Sequence, residues 1–228
     1  MSVENAIFQA GHLERAPLGT TYSAIVHHVG RLLGRFPKGT DLCIDYTGVG
    51  RPVFDMFQHL SVYPTGALIT NGATETVVDG VSHVPKIVLV GRLQALLHEG
   101  RLKIHKDLPE AGALVNELAN FRVQYTAAGN LTFNAREGRH DDLVLAMALA
   151  CYRAAGGGQR YEGLLEYYRR QYSRSRVPAP RYFIGVDLGQ ARDPTAVAVV
   201  RRIDYPNPEE VLDRGYLPNA AVEARLSG

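Results

Sequence analysis

Two β-branched runs, Tyr182 to Leu188 and Thr195 to Ile203, are joined by Gly189-Gln190-Ala191-Arg192-Asp193-Pro194. Turn-forming residues between two apolar runs read as a hairpin. The stretch from Tyr182 to Val186 carries no charged side chain, so it needs cover on both faces and belongs inside a sheet. Ile7 to Arg15, Leu42 to Tyr46 and Ala67 to Thr70 are expected as further strands, each bounded by Gly, Pro or polar residues. The cover comes from helices. Tyr22 to Leu33 repeats Ile25, Val26, Val29, Leu32 and Leu33 at three- and four-residue spacing, and Val84 to Glu99 does the same with Ile87, Val90, Leu93, Leu96 and Leu97. In the latter, Pro85 is expected in the first turn and Gly100 at the stop. Pro109 to Phe121 and Asp141 to Ala154 pass the same test. Strands interleaved with helices predict an α/β fold with a mixed sheet.

With 228 residues the chain can bury a sizeable core, and 25 basic against 23 acidic side chains exclude a histone-like or acidic-tail protein. The longest uncharged apolar run, Leu143 to Tyr152, is half the roughly 20 residues that span a bilayer, so no membrane association is expected. The first residues show no basic and apolar leader, which makes a cytoplasmic location the expectation. Cys43 and Cys151 each lie in an apolar stretch and read as buried thiols, and no CxxC pair is present to build a thiolate zinc site. Residues 156–180 form a different kind of segment. Gly156-Gly157-Gly158 opens it, Pro178-Ala179-Pro180 closes it, and between them lie Arg160, Arg169, Arg170, Arg174 and Arg176 with four tyrosines. It reads as a connector carrying a short helix. The tail, residues 204–228, has weak periodicity and at most one short helix near Ala220 to Leu226.

Three acidic positions stand at element ends. Asp187 closes the uncharged strand, Asp45 closes Leu42-Cys43-Ile44 before Gly48-Val49-Gly50, and Asp141-Asp142 opens the most apolar helix. A carboxylate at the end of a buried strand is costly unless it is paired or holds a cation, so three such positions point to one cation cluster. Hard divalent ions take oxygen ligands, and two of them clamp a phosphodiester and activate water. Each position also has a plainer reading. Asp141 and Asp142 suit the positive end of a helix dipole, and Asp45 and Asp187 suit strand-end turns.

The words Ile184-Gly185-Val186-Asp187-Leu188-Gly189, Asp193-Pro194-Thr195-Ala196-Val197-Ala198-Val199-Val200, Asp45-Tyr46-Thr47-Gly48-Val49-Gly50 and Gly138-Arg139-His140-Asp141-Asp142-Leu143-Val144-Leu145-Ala146 together resemble the nuclease domain of bacteriophage terminase large subunits. That domain belongs to the RNase H-like superfamily, and the resemblance covers most of the chain except the connector and the tail. It implies a metal-dependent DNA endonuclease using two Mg²⁺ or Mn²⁺ ions, with DNA and phage packaging or recombination proteins as partners in a bacterial host cell. Asp187 would bridge the ions from the central first strand, and Asp45 would serve from the fourth strand. The last helix would supply Asp142, with Asp141 as a possible second ligand and His140 as a cap or supporting partner. Asp142 is preferred because Leu145, Ala146 and Leu149 share its helical face.

The order of these words departs from the family. There the Asp187 strand comes first and the Asp-Asp helix last, whereas here the segment from Arg181 onward is C-terminal. The resemblance therefore implies a circular permutation in which residues 1–155 and 181–203 make one domain and residues 156–180 join the old ends. No Gly-x-x-x-x-Gly-Lys-[Ser/Thr] loop occurs, so a nuclease module without the packaging motor is expected. Lys86, Arg92, Arg169 and Arg170 are the candidates for phosphate contacts, against a plainer reading as solvated or packed helix residues. Two other classes stay open. Ile184 to Gln190 also resembles the first phosphate loop of the actin, Hsp70 and sugar-kinase superfamily, and a permuted domain without metal binding would serve as an inert DNA-binding or assembly module.

Overall fold

The computed structural model describes residues 6–79, 81–125, 131–135, 141–157, 180–189 and 193–204. The expected connector helix, the tail helix, His140, Arg169 and Arg170 lie outside the described residues. In chain order the elements are β1 (Ala6–Arg15), α1 (Tyr22–Leu33), β2 (Asp41–Asp45), α2 (Gly50–His59), β3 (Thr65–Thr70), β4 (Thr76–Val78), β5 (Val81–Pro85), α3 (Lys86–His98), β6 (Leu102–Ile104), α4 (Ala111–Asn120), β7 (Phe121–Tyr125), β8 (Leu131–Ala135), α5 (Asp142–Ala154), β9 (Arg181–Asp187) and β10 (Ala196–Asp204). The fold is α/β. Eight strands form one mixed sheet in the order β4-β5-β3-β2-β9-β10-β1-β6, flanked by helices, an arrangement compatible with an RNase H-like fold; β7 and β8 pair separately.

The two C-terminal strands lie in the middle of the sheet. β9 pairs parallel with β2, Ile44 opposite Val186, and antiparallel with β10, Asp187 opposite Ala196. Side-chain alternation then sorts β9 between two cores. Ile184 and Val186 join Leu42, Ile44 and Val53 with the buried residues of α1 and α2, while Phe183 joins Cys43, Ala67 and the residues of α3, α4 and α5. Every residue of α5 is buried. That helix lies on β9 at Gly185, where a Cβ would run into Ala146 O and Ala150 N, so glycine is the residue that lets strand and helix backbones meet.

β1 contains a bulge between Ala10 and His12. Ala6, Phe8 and Ala10 face the α5 side before it, and Leu13 does so after it, so the extra residue shifts the alternation by one. The shift places Arg15 on the same face as Leu13, toward α5.

Two expected helix boundaries need correction, and one helix, α2, was not among those expected. Val84 and Pro85 belong to β5, and α3 begins at Lys86 with Pro85 as its cap residue. Gly48-Val49-Gly50 leads directly into α2, whose Pro52 sits in its first turn, where a missing N–H costs nothing. Phe121 opens β7 rather than closing α4. Both cysteines are buried and unbridged. Burial pushes the Cys151 thiol up to about 12 and raises that of Cys43 as well, so neither is a thiolate near neutral pH. Among the described residues no helix is long and apolar enough to cross a membrane.

Candidate active site

The C-terminal ends of β2 and β9 bring Asp45 and Asp187 to one edge of the sheet. Asp187 is two residues beyond Gly185 and Asp45 two beyond Cys43, so alternation turns both toward the α5 face. Asp142 lies one helical turn before Ala146, the residue that meets Gly185, which carries the N-terminus of α5 about 6 Å beyond that crossing toward the same edge. Four carboxylates from three elements therefore share one place. Asp187 and Asp142 are buried.

The local chain is shaped to hold this edge. Asp45 Oδ1 accepts from Thr47 N at 2.8 Å, the Asx turn that the plainer sequence reading proposed. Gly50 then packs so closely on Asp45 O that a Cβ there would collide with it. Beyond Asp187, Gly189 N donates to Thr195 Oγ1 at 3.1 Å, and Tyr22 Oη donates to Gly189 O at 3.1 Å, tying the strand end to α1.

Electrostatically the edge is under strain. Burial holds the Asp187 carboxyl well above the usual carboxylate range, and the charges of Asp45, Asp142 and Asp141 raise it further in that order, while Lys86 opposes them. Burial also raises Asp45, against hydrogen bonds from Thr47 and the charge of Lys86. Of the helix pair, Asp142 acts on Asp187 more strongly than Asp141 does.

Each carboxylate except Asp187 is drawn to a partner of its own. Asp141 accepts from Lys86 Nζ at 2.6 Å, and Asp142 Oδ2 lies 3.9 Å from Arg15 Nε. The carboxylates thus lie at one edge with local donors beside Asp45, Asp141 and Asp142. Among the described residues, no three His, Cys, Asp or Glu side chains form a ready-made ligand set.

Lys86, read either as a phosphate contact or as a solvated helix residue, lies mostly buried against this edge. Arg92 is half-exposed, pairs with Glu75 at 3.0 Å and stacks over the Tyr152 ring at 5.1 Å. Two participants went unnoticed in the sequence. Arg15 pairs with Glu117 and, at 3.3 Å, with Glu110, while Glu117 Oε2 accepts from Leu143 N and Val144 N at 3.1 and 3.2 Å. The available signal was Glu117 itself, a carboxylate lodged among Leu114, Val115 and Leu118 on the apolar face of α4.

No protein-family profile matches the chain, and no solved structure matches it. Among curated proteins the chain is similar to the terminase large subunit of Thermus phage G20c and to that of Thermus virus P23-45. Each is 30% identical over 99 residues, 40% of this chain. The match spans 20% of the length of either relative.

Proposed function

We propose that the chain is a metal-dependent DNA endonuclease module related to the terminase large subunits it resembles. The observation that carries this reading is Asp187. It is a buried carboxyl at the end of the central strand, raised by burial and by three further carboxylates that approach from β2 and α5. Such a concentration of acid groups with so little cationic compensation suits a cation-binding role. The donor set, all carboxylate oxygens, fits Mg²⁺ or Mn²⁺. Asp187 would hold two ions jointly, Asp45 one of them and Asp142 the other, with Asp141 available once Lys86 releases it. Two divalent ions supply the Lewis acidity that activates water and stabilises the leaving oxygen of a phosphodiester.

The protein's own contribution is placement. α5 and β9 meet backbone to backbone at Gly185, which fixes the Asp142 turn over the end of β9. The Asx turn aims Asp45 along the same edge, and burial of Asp187 excludes the water that would otherwise screen the cluster. Lys86, beside Asp141, is suited to meet a phosphate oxygen when a cation takes over that carboxylate.

The path of the chain supports the permuted reading. Starting at β9 as strand one, β10 is two, β1 three and β2 four, which gives the sheet order three-two-one-four, with the Asp187 strand central and the Asp45 strand beside it. In this reading the natural ends are joined through residues 156–180. Incubating the protein with supercoiled plasmid tests the activity: nicked and linear DNA should appear with Mn²⁺ or Mg²⁺ and vanish with a chelator. Plasmid left intact at every metal concentration, by protein shown to be folded, would overturn the assignment.

A further inference from the structure

Helix α5 has an anomaly at its first turn. Asp141 occupies the cap position, and aspartate there ordinarily accepts from the amide two or three residues on. Here it makes no such bond; its carboxylate goes to Lys86 instead. The amides it leaves are those of Leu143 and Val144, both buried, and both donate to Glu117 Oε2 from the neighbouring helix α4. The other oxygen of Glu117 accepts from Arg15. Arg15, at the end of β1, also reaches Glu110, and its Nε faces Asp142 Oδ2.

We infer that Glu117 is a positioning residue that caps α5 in place of Asp141, so that Asp141 is released to the metal site, while Arg15 holds Glu117. The inference rests on the nuclease reading for the purpose of the released carboxylate, and on geometry alone for the exchange of cap. Two acids at the start of a helix compete for the same amides, and a helix cannot leave buried first-turn amides without acceptors. A carboxylate supplied from another helix removes that competition. Both acids of the pair can then serve a ligand, and the helix keeps its cap.

The exchange has a specific signature. In Glu117→Ala the Leu143 and Val144 amides lose their acceptor, and Asp141 is the nearest carboxylate able to replace it. It should swing from Lys86 to those amides, and Mn²⁺ affinity measured by calorimetry should fall about tenfold, the lower end for loss of a group that supports a ligand. Asp141→Ala should fall by a similar factor. The double variant should be no weaker than Asp141→Ala alone, because Glu117 acts through Asp141. A purely structural Glu117 would instead add its loss to that of Asp141, which would overturn the inference. Glu117→Gln provides a second variant should the alanine fail to fold: its one amide oxygen can still accept from both amides, while its NH₂ replaces the oxygen that accepts from Arg15, so Mn²⁺ affinity should fall by clearly less than tenfold. A tenfold loss in Glu117→Gln would count against the inference. A crystal structure of metal-free Glu117→Ala, or of Glu117→Val should the alanine not crystallise, separates this claim from the nuclease reading. Asp141 bonded to Leu143 N or Val144 N supports the cap exchange even if the parent protein binds no Mn²⁺, and Asp141 still on Lys86 refutes it even if the parent cleaves DNA.

Discussion

The two ends of α5 handle buried charge in opposite ways. At the C-terminal end, Arg153 is fully buried and satisfied: its guanidinium donates to both oxygens of Asp41 and to Gly157 O. Arg202 does the same from β10, donating to Ala154 O at 2.7 Å and pairing with Asp204 at 2.8 Å. At the N-terminal end, Asp187, Asp45, Asp142 and Asp141 crowd one edge with Lys86 and Arg15 as the cations facing them. Both ends are covered by the same helix and the same sheet, so burial does not distinguish them. Compensation does. The fully paired end holds the helix down, and the end where four carboxylates face two cations is where a ligand of opposite charge would gain most.

Breaking the paired end should have the largest effect on stability. Arg153→Met leaves Asp41 without its partner and Gly157 O without its donor, and should cost about 3–5 kcal/mol in urea unfolding. Separating helix from sheet between the two ends comes next. Gly185→Ala pushes a methyl into Ala146 O and Ala150 N, which are backbone atoms with little room to move, and should cost about 2–3 kcal/mol while also lowering metal affinity through displacement of Asp142.

The carboxylate-rich end should respond with the opposite sign. Replacing the crowded acid in Asp187→Asn should stabilise the metal-free protein at neutral pH by about 1–2 kcal/mol. The pH dependence has a definite direction. Because the folded-state value of Asp187 is raised above its unfolded one, its contribution is most favourable below the ordinary carboxylate range and is lost as pH rises through the raised value. The stability advantage of the asparagine variant should therefore vanish at low pH and grow toward neutrality, as thermal unfolding across pH would record. Saturating Mn²⁺ should reverse the order, since only the parent retains the full ligand set.

A smaller and contrary case lies on the other face of the sheet. The bulge in β1 puts Glu14 opposite α1, where burial raises its carboxyl but hydrogen bonds and charge from His12 and His28 outweigh that and lower it. Its stabilisation is present above the unfolded value and is lost as pH falls through the lowered one. Glu14→Gln should cost about 0.5 kcal/mol near pH 6 and nothing at strongly acid pH, the modest figure reflecting a partly exposed group.

Much of this contrast was legible in the sequence. The uncharged strand Tyr182 to Val186 was legible as an interior strand from its periodicity and apolarity, and Asp187 at its end as either a costly buried acid or a turn residue; the structure buries it. The helix at Tyr22 to Leu33 was equally plain from its spacing. What escaped were features decided by contacts between distant segments. α2 shows only Val53 and Phe57 fully buried beyond its first residue, too little periodicity to outweigh the Gly and Pro at its start. β5 was absorbed into the helix that follows it because Val84 fits either element and only pairing with β3 selects the strand. Arg15 and Glu117 are 102 positions apart, and nothing local in either segment says that they meet over the start of α5. The carboxylates themselves were foreseen, but the donors beside them were not, since Lys86 comes from yet another element.

Plasmid cleavage by Asp187→Asn, set beside the parent protein in the same Mn²⁺ series, tests the account at its centre. The variant removes one charge from a repelling cluster without changing its shape, so it should remain folded and should still bind DNA with a salt-sensitive affinity set by Arg and Lys. Cleavage should fall by at least about a thousandfold, the scale expected when a group that acts in the transition state is lost. Cleavage at the parental rate by a folded Asp187→Asn would contradict the claim that the carboxylate-rich end of α5 is the active site.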